Sequence, residues 1–216
     1  MTAARDLARR NWPLVVLILA CSGIEAALTL SDLGLLDAAR LRADAYENFG
    51  FWSGVLRGWQ PNYAAQPYTM FGTYAFLHAG LIHLTVNMIT LWSLGSGVLA
   101  RVGTGGFALL YAGSAIGGAG GFALLGTQLA PMVGASGALF GLAGGLLAWN
   151  YVDRYTFTEG LWPVAQATGL LVVINVVLWW AMDGQLAWET HLGGFLAGWV
   201  LALLIDPRGR AAEDAP

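Results

Sequence analysis

The chain has 216 residues, of which 57% are hydrophobic and 11% are charged. Because a soluble domain carries about 25% charged residues, this composition excludes an ordinary soluble domain and predicts one domain that crosses a membrane several times. The formal net charge of −3 argues against a nucleic-acid partner. The single cysteine, Cys21, excludes an internal disulfide.

Six apolar segments predict six membrane-spanning helices, so the expected fold class is an all-α membrane bundle. They cover residues 13–30, 74–94, 105–126, 136–151, 164–181 and 190–205. The first segment follows a basic start, as in a signal peptide. It is long and lacks a small-residue cleavage site, so we predict a retained helix. Residues 31–73 mix charges with aromatic side chains, which predicts short interfacial helices between the first two spans.

Six spans place both termini on the same side of the membrane, and the arginines decide which side. If the termini are cytoplasmic, the inner segments carry Arg5, Arg9, Arg10, Arg101, Arg154, Arg208 and Arg210. The outer segments then carry Arg40, Arg42 and Arg57. This excess predicts that both termini are cytoplasmic. Residues 1–12 would form a cytoplasmic segment, residues 13–206 the membrane domain, and residues 207–216 a cytoplasmic tail.

The fourth span begins with the sequence Gly134-Ala135-Ser136-Gly137. The start of a helix offers free N–H groups and the positive end of the helix dipole, which suit a developing oxyanion. A serine at this place is therefore a candidate nucleophile. Taken alone, the pattern is more typical of helix packing in a glycine-rich membrane protein.

Two stripes of small residues favour a catalytic serine over a packing one. The stripe on the fourth span consists of Gly137, Gly141 and Gly145, and the stripe on the sixth span of Gly194 and Gly198. Such faces let two helices pack almost backbone to backbone. Because both stripes begin just after a reactive residue, packing them together would bring Ser136 close to His191.

A Ser–His dyad is the predicted catalytic pair. A serine hydroxyl needs an adjacent base, and histidine suits that task near neutral pH. No acidic residue faces His191, since Glu189 two positions earlier does not share its helix face. We therefore expect Ser136 and His191 to act without an acid. Packing on Phe140 could orient the imidazole, or Phe140 could equally serve plain lipid or core packing. The alternative is a histidine that only forms a hydrogen bond at the interface.

The second span carries more polar side chains than an anchor needs. His83 and Asn87 are four residues apart and share one helix face, so they could donate hydrogen bonds to an oxyanion together with the Ser136 N–H. They could equally form a polar pair that ties spans together. His78 is predicted to brace the adjacent loop. Glu25, in the first span, is predicted to be a buried acid that braces the following loop through hydrogen bonds.

Three motifs together resemble the rhomboid intramembrane serine proteases. They are residues 78–87 with His78, His83 and Asn87, residues 134–137, and residues 191–194 followed by Gly198. The resemblance covers residues 10–206. It implies a six-helix bundle with a water-filled cavity open to the extracytoplasmic side. It assigns Ser136 as nucleophile, His191 as base, and His83 and Asn87 as oxyanion donors. Gly134 is expected to shape the loop beside the serine.

The same resemblance implies a serine endopeptidase that cuts single-pass membrane proteins in or near their transmembrane helix. No cofactor and no metal ion are implied, and no oligomeric state is predicted. The protein would lie in a bacterial inner membrane with its active site toward the extracytoplasmic side. The fifth span, with Trp162, Asn175, Trp179 and Trp180, corresponds to the substrate gate of the family.

Two positions differ from many family members. Residues 68–72 read Tyr-Thr-Met-Phe-Gly where many members have Trp-Arg, which puts the anchoring of the first loop in question. Phe140 stands where many bacterial members have tyrosine, so ring stacking is kept and the hydroxyl is lost. Both Ser136 and His191 are present, which is not the pattern of an inactive relative.

Two further classes of protein fit parts of the pattern. A non-enzymatic membrane protein that binds transmembrane helices would share the fold but need no contact between Ser136 and His191. A small transporter could use the histidines as a proton relay. The absence of an inverted repeat, and of acidic residues at mid-membrane depth apart from Glu25, argues against the transporter.

Overall fold

The computed structural model describes residues 11–206 and consists of seven α-helices joined by turns. The helices are α1 (Trp12–Asp32), α2 (Leu41–Phe49), α3 (Gln66–Thr73), α4 (Leu81–Leu125), α5 (Ser136–Thr156), α6 (Trp162–Ala181) and α7 (Trp188–Ile205). Short 3₁₀ turns cover Ser53–Arg57 and Tyr74–Phe76. Within residues 11–206 no strand forms, and extended pairing is limited to one bridge between Phe51 and Met132. The predicted cytoplasmic tail and most of the predicted N-terminal segment lie outside the described residues.

Four helices, α1, α4, α6 and α7, are long and apolar enough to cross a membrane. Helix α4 has 45 residues and is interrupted at Gly103, where φ is 66° and ψ is −172°. A straight helix of that length would measure about 68 Å, more than twice the hydrocarbon thickness. The structure thus has an all-α architecture with several apolar spanning helices. The count of six spans stays a prediction, because it requires the arms 81–102 and 104–125 of α4, and also α5, to cross separately.

The boundaries of the second predicted span were wrong, whereas the third span, predicted at residues 105–126, agrees with the second arm of α4 to within one residue. Helix α4 begins at Leu81 rather than at residue 74, because Leu77 is extended and Gly80 has a φ of 96°. The predicted connection between the two spans, residues 95–104, is helical as far as residue 102, and the Ser96 hydroxyl donates to the Trp92 carbonyl one turn earlier in the same helix. The actual break lies at Gly103, whose positive φ glycine adopts without a steric penalty.

Helix α5 lies at the centre of the bundle, and ten of its 21 residues are buried. It touches α7 through the two predicted glycine stripes. A Cβ atom added at Gly194 would collide with the carbonyl oxygen of Gly137, and one added at Gly198 with that of Gly141. The two backbones are therefore in direct contact, which fixes the distance between side chains at the start of each helix.

Helix α6 is attached much more loosely than α5 and α7. Among its 20 residues, Val164 alone is buried. Large apolar side chains such as Val173, Val176 and Trp180 are exposed on its surface. A helix that is apolar all round and buries so little is suited to contact lipid. Its position therefore depends on few contacts with the rest of the bundle.

A buried ion pair attaches the long connection after α1 to that helix. Glu25 is fully buried, as predicted, and accepts a hydrogen bond of 2.8 Å from Arg42 of α2. Arg42 also pairs with Asp32 at 2.6 Å and donates to the carbonyl of His78 at 3.1 Å. The hydrogen bond from Arg42 to Glu25 raises the pKa of the guanidinium above its usual range. Arg42 thus connects α1 to the segment before α4, in a chain that lacks the Trp-Arg pair.

Replacing Arg42 by leucine should strongly destabilise the fold. The change leaves the Glu25 carboxylate buried without a cationic partner, which typically costs about 3–5 kcal/mol. The free energy of unfolding in detergent micelles measures this loss. Arg40→Leu is the matched control, because the Arg40 side chain is 70% exposed and its ion pair with Glu47 lies at the surface. The control should change stability by about 1 kcal/mol or less. Equal effects of the two substitutions would contradict the bracing role of Arg42.

Candidate active site

Ser136 and His191 are in direct contact. Ser136 is the first residue of α5, and His191 lies in the first turn of α7. The Nε2 atom of His191 is 2.9 Å from the Oγ of Ser136. His191 is only 4% exposed, whereas Ser136 is half-buried. The glycine contacts between α5 and α7 hold the two side chains at this distance. The catalytic role of the pair stays a prediction.

Phe140 lies one turn after Ser136 and packs on the imidazole. The two ring centroids are 4.1 Å apart, and the planes differ by 8°. A parallel stack of this kind restricts rotation of the His191 ring out of its plane. The predicted packing of Phe140 on His191 is therefore present in the structure.

A third residue, Asn175 of α6, contacts the other side of the same imidazole. Its Oδ1 atom is 2.6 Å from the Nδ1 of His191. Asn175 was predicted to lie on the gate helix, and no contact with the histidine was predicted. The sequence feature that could have indicated this contact was an amide side chain near the middle of an apolar span. The sequence did not show which face of that span is turned toward the bundle.

His83 of α4 lies against the glycine that precedes the serine. Its Nδ1 atom accepts a hydrogen bond of 3.2 Å from the Ala79 N–H, so the ring proton of the neutral imidazole is on Nε2. An added Cβ at Gly134 would lie 2.9 Å from that Nε2 atom. Gly134 has a φ of 127°, which disfavours any other residue. The geometry thus directs an N–H donor of His83 toward the segment that presents Ser136.

Asn87 is buried on α4, but its side chain is engaged within its own helix. The Nδ2 atom donates to the backbone carbonyl of His83 at 2.8 Å. An amide has a second N–H, which leaves one donor for another acceptor. The contact of Asn87 with an oxyanion stays a prediction.

His78 is fully buried in the linker before α4. Its carbonyl accepts hydrogen bonds from the hydroxyl of Tyr46 at 2.7 Å and from Arg42 at 3.1 Å. Its ring meets that of His83 edge to face, with centroids 5.3 Å apart. His78 therefore lies between the buried ion pair of α1 and α2 and the candidate oxyanion donor, and its bracing role stays a prediction.

A cavity of about 470 Å³ lies between α6, α7 and the start of α5, beside His191. Its walls are mostly apolar, and Asn175 and His191 are among the few polar groups that line it. The apolar lining includes Phe140, Leu171, Val172, Trp179, Leu192 and Phe195. The candidate site is therefore bordered by a space that separates much of α6 from α7.

The groups at the site suit acyl transfer. The Ser136 hydroxyl touches a potential base, Ser136 begins a helix with free N–H groups, and the His83 ring lies against Gly134. In the part of the chain that the structure describes, no group of three or more His, Cys, Asp or Glu residues is placed to hold a metal ion.

The Rhomboid domain profile matches residues 64–208 of the chain. The Rhomboid protease GluP of Bacillus subtilis is 32% identical over 126 residues, which cover 58% of this chain and 24% of that protein. RHOMBOID-like protein 5 of Arabidopsis thaliana is 34% identical over 136 residues, or 62% of this chain and 43% of that protein. Rhomboid-like protease 3 of Toxoplasma gondii is 31% identical over 189 residues, or 85% of this chain and 61% of that protein.

These similarities concern one part of longer relatives. The chain spans less than half the length of the Bacillus and Arabidopsis proteins. The profile nevertheless covers more than half of the chain and includes all residues of the candidate site. Together with the apolar helices, it identifies an integral membrane protein that crosses the bilayer several times. The chain belongs to the rhomboid family.

Proposed function

We propose that the protein is an intramembrane serine endopeptidase in which Ser136 is the nucleophile and His191 the base. The observation that carries this proposal is the contact of 2.9 Å between His191 Nε2 and Ser136 Oγ. The Bacillus and Toxoplasma relatives are both named as proteases, which agrees with it. A protein that only binds transmembrane helices would have no need of this contact.

In the proposed reaction, the Oγ of Ser136 attacks the carbonyl carbon of the scissile peptide while His191 Nε2 takes the hydroxyl proton. The carbonyl oxygen becomes an oxyanion, which the Ser136 N–H, His83 Nε2–H and Asn87 would stabilise. His191 then gives its proton to the leaving amine, and the acyl-enzyme forms. Water hydrolyses this ester in a second step, with His191 again acting as the base.

The proposed arrangement in the membrane has six passes within residues 13–206. They are α1, the two arms of α4, α5, α6 and α7, with short interfacial helices α2 and α3 between the first two passes. Both termini would be cytoplasmic. The site would then lie toward the extracytoplasmic face of a bacterial inner membrane, where water can reach it.

The proposed substrates are single-pass membrane proteins. A transmembrane helix hides its carbonyl groups in internal hydrogen bonds, so the scissile bond must be exposed by local unwinding. Glycine or proline near the bond lowers the cost of that unwinding. Cleavage is therefore expected next to a small residue in a weakened helix. The loose attachment of α6 supports entry of such a helix from the lipid side.

Covalent labelling with a fluorophosphonate probe tests the proposed nucleophile. We expect the probe to modify the purified protein on Ser136, as located by peptide mass spectrometry, because His191 removes the hydroxyl proton during attack. Labelling should be lost in Ser136→Ala and should become much slower in His191→Ala. Ser96→Ala is the control, because this half-buried serine contacts Trp92 of its own helix and Asn11 rather than the candidate site. A folded protein that the probe does not modify would favour the non-enzymatic binder.

A further inference from the structure

Both ring nitrogens of His191 have partners, and the partners lie on different helices. Nε2 contacts Ser136 of α5, and Nδ1 contacts Asn175 of α6 at 2.6 Å. The face of the ring is covered by Phe140. Asn175 therefore contacts the edge of the imidazole that points away from the serine, and it supplies the hydrogen-bond partner of Nδ1.

The chemistry of the two contacts determines the tautomer. A neutral imidazole carries one proton, and a base for Ser136 must keep the lone pair of Nε2 free. The proton must then be on Nδ1, where it needs an acceptor. The oxygen of an amide side chain only accepts hydrogen bonds, so Asn175 Oδ1 stabilises this tautomer and disfavours the one that has its proton on Nε2.

The same contact matters for the position of α6. This helix buries Val164 alone, and the cavity beside His191 keeps much of it away from α7. An amide in an apolar environment is unfavourable without a partner, so the bond to His191 holds α6 against the bundle. Asn175 thus sits on a loosely packed helix and contacts a rigidly packed one.

We infer that Asn175 is a positioning residue that fixes the tautomer and orientation of His191 from the loosely packed helix α6. The inference rests on the proposed protease function. It has a physical consequence for that function. If α6 moves away from α7, the imidazole loses its Nδ1 acceptor, so Ser136 is reactive only while this part of α6 is docked.

Kinetics of Asn175 variants distinguish this role from simple attachment of α6. In Asn175→Leu, which keeps the size but removes the acceptor, we expect kcat for a transmembrane reporter to fall about 10-fold to 100-fold. This loss is part of the rate enhancement of roughly 10²–10⁴-fold that a general base contributes. KM should change less than kcat. Probe labelling of Ser136 should slow by a similar factor, because the probe reports on the reactivity of the serine.

Asn175→Asp is the rescue variant. A carboxylate oxygen also accepts the Nδ1 proton, so kcat and labelling should stay within about 10-fold of the wild type. Gln166→Leu is the matched control, because it removes an exposed amide from the same helix. That control should leave kcat and labelling unchanged.

If Asn175 only attached α6, its replacement would loosen the helix without weakening the base. Labelling would then be unchanged or faster in Asn175→Leu. That result would overturn the inference while leaving the proposed protease function intact. If the proposed protease function were wrong, neither the wild-type protein nor any Asn175 variant would be labelled.

Nitrogen NMR provides a direct reading of the tautomer. The chain has three histidines, so ¹⁵N-histidine labelling in lipid gives few ring signals, and His191→Ala identifies those of His191. We expect the Nδ1-protonated tautomer in the wild type and in Gln166→Leu. In Asn175→Leu the signals should shift toward a mixture of tautomers. An unchanged His191 spectrum in this variant would contradict the positioning role.

Discussion

The Ser136→Ala and His191→Ala variants should each cleave a transmembrane reporter at least about 10⁴-fold more slowly than the wild-type protein. Removal of Ser136 takes away the atom that forms the acyl-enzyme. Removal of His191 leaves the serine hydroxyl without the base that lies 2.9 Å away. Since the two residues act as a unit, the double variant should be no slower than the slower single variant. Cleavage is measured with purified protein and reporter reconstituted in liposomes.

The folded state of each variant must be verified by its thermal unfolding in micelles. Ser96→Ala serves as the serine control, and its activity should equal that of the wild type. Wild-type cleavage by Ser136→Ala would end the proposed mechanism. If the losses of the two single variants multiplied in the double variant, Ser136 and His191 would act independently, which would contradict a dyad.

The contact between the serine and the histidine could be predicted because glycine spacing restricts how two helices meet. Gly137 and Gly141 face Gly194 and Gly198, and these contacts leave no room for a Cβ atom. A stripe of this kind defines both the face and the separation of a helix pair. The residues that precede the stripes are therefore brought together with little ambiguity.

The contact of Asn175 could not be predicted in the same way. Helix α6 is apolar on all sides and buries little, so its sequence contains no stripe that defines the inward face. The rotation of the helix depends on packing with α7, which sequence periodicity does not reveal. The side of the imidazole opposite Ser136 therefore had no predicted partner except the packing of Phe140.

The position of the break in α4 could not be predicted from the sequence either. The second half of this helix is rich in glycine, and helices tolerate many of these residues where they pack closely. Gly117 and Gly121 remain helical and lie against α7, whereas Gly103 has a positive φ. Local sequence did not distinguish a glycine that packs from a glycine that bends the chain. The end of the second span was consequently predicted several residues too early.

Buried charge was predicted in part. The position of Glu25 within an apolar span was enough to predict burial with hydrogen bonds, since a carboxylate there is otherwise unfavourable. Its partner was not predicted, because residues 31–73 contain three arginines. The structure selects Arg42, which lies in the first turn of α2 and faces α1. Pairing over such a distance depends on how the connection folds back.

The second large effect is expected at the proposed oxyanion site, where His83→Ala should lower kcat about 10²-fold to 10³-fold. The Nε2–H of His83 points toward Gly134 and the start of α5, where the oxyanion would form beside the Ser136 N–H. Such a donor acts mainly in the transition state, so KM should change much less than kcat. The measurement uses the same reporter in liposomes.

Gly134→Ala tests the same donor from the opposite side of the contact. The added methyl group would lie 2.7 Å from Cε1 and 2.9 Å from Nε2 of His83, so the ring must move. We expect a loss of kcat close to that of His83→Ala. Gly120→Ala is the matched control, because a Cβ at this helical glycine of α4 meets no atom within 4 Å. If both variants act by removing one donor, the double variant His83→Ala/Gly134→Ala should lose little more than either single variant. Multiplication of the two losses would show that Gly134 supports the serine independently of His83, since backbone strain at its φ of 127° would then act directly on Ser136.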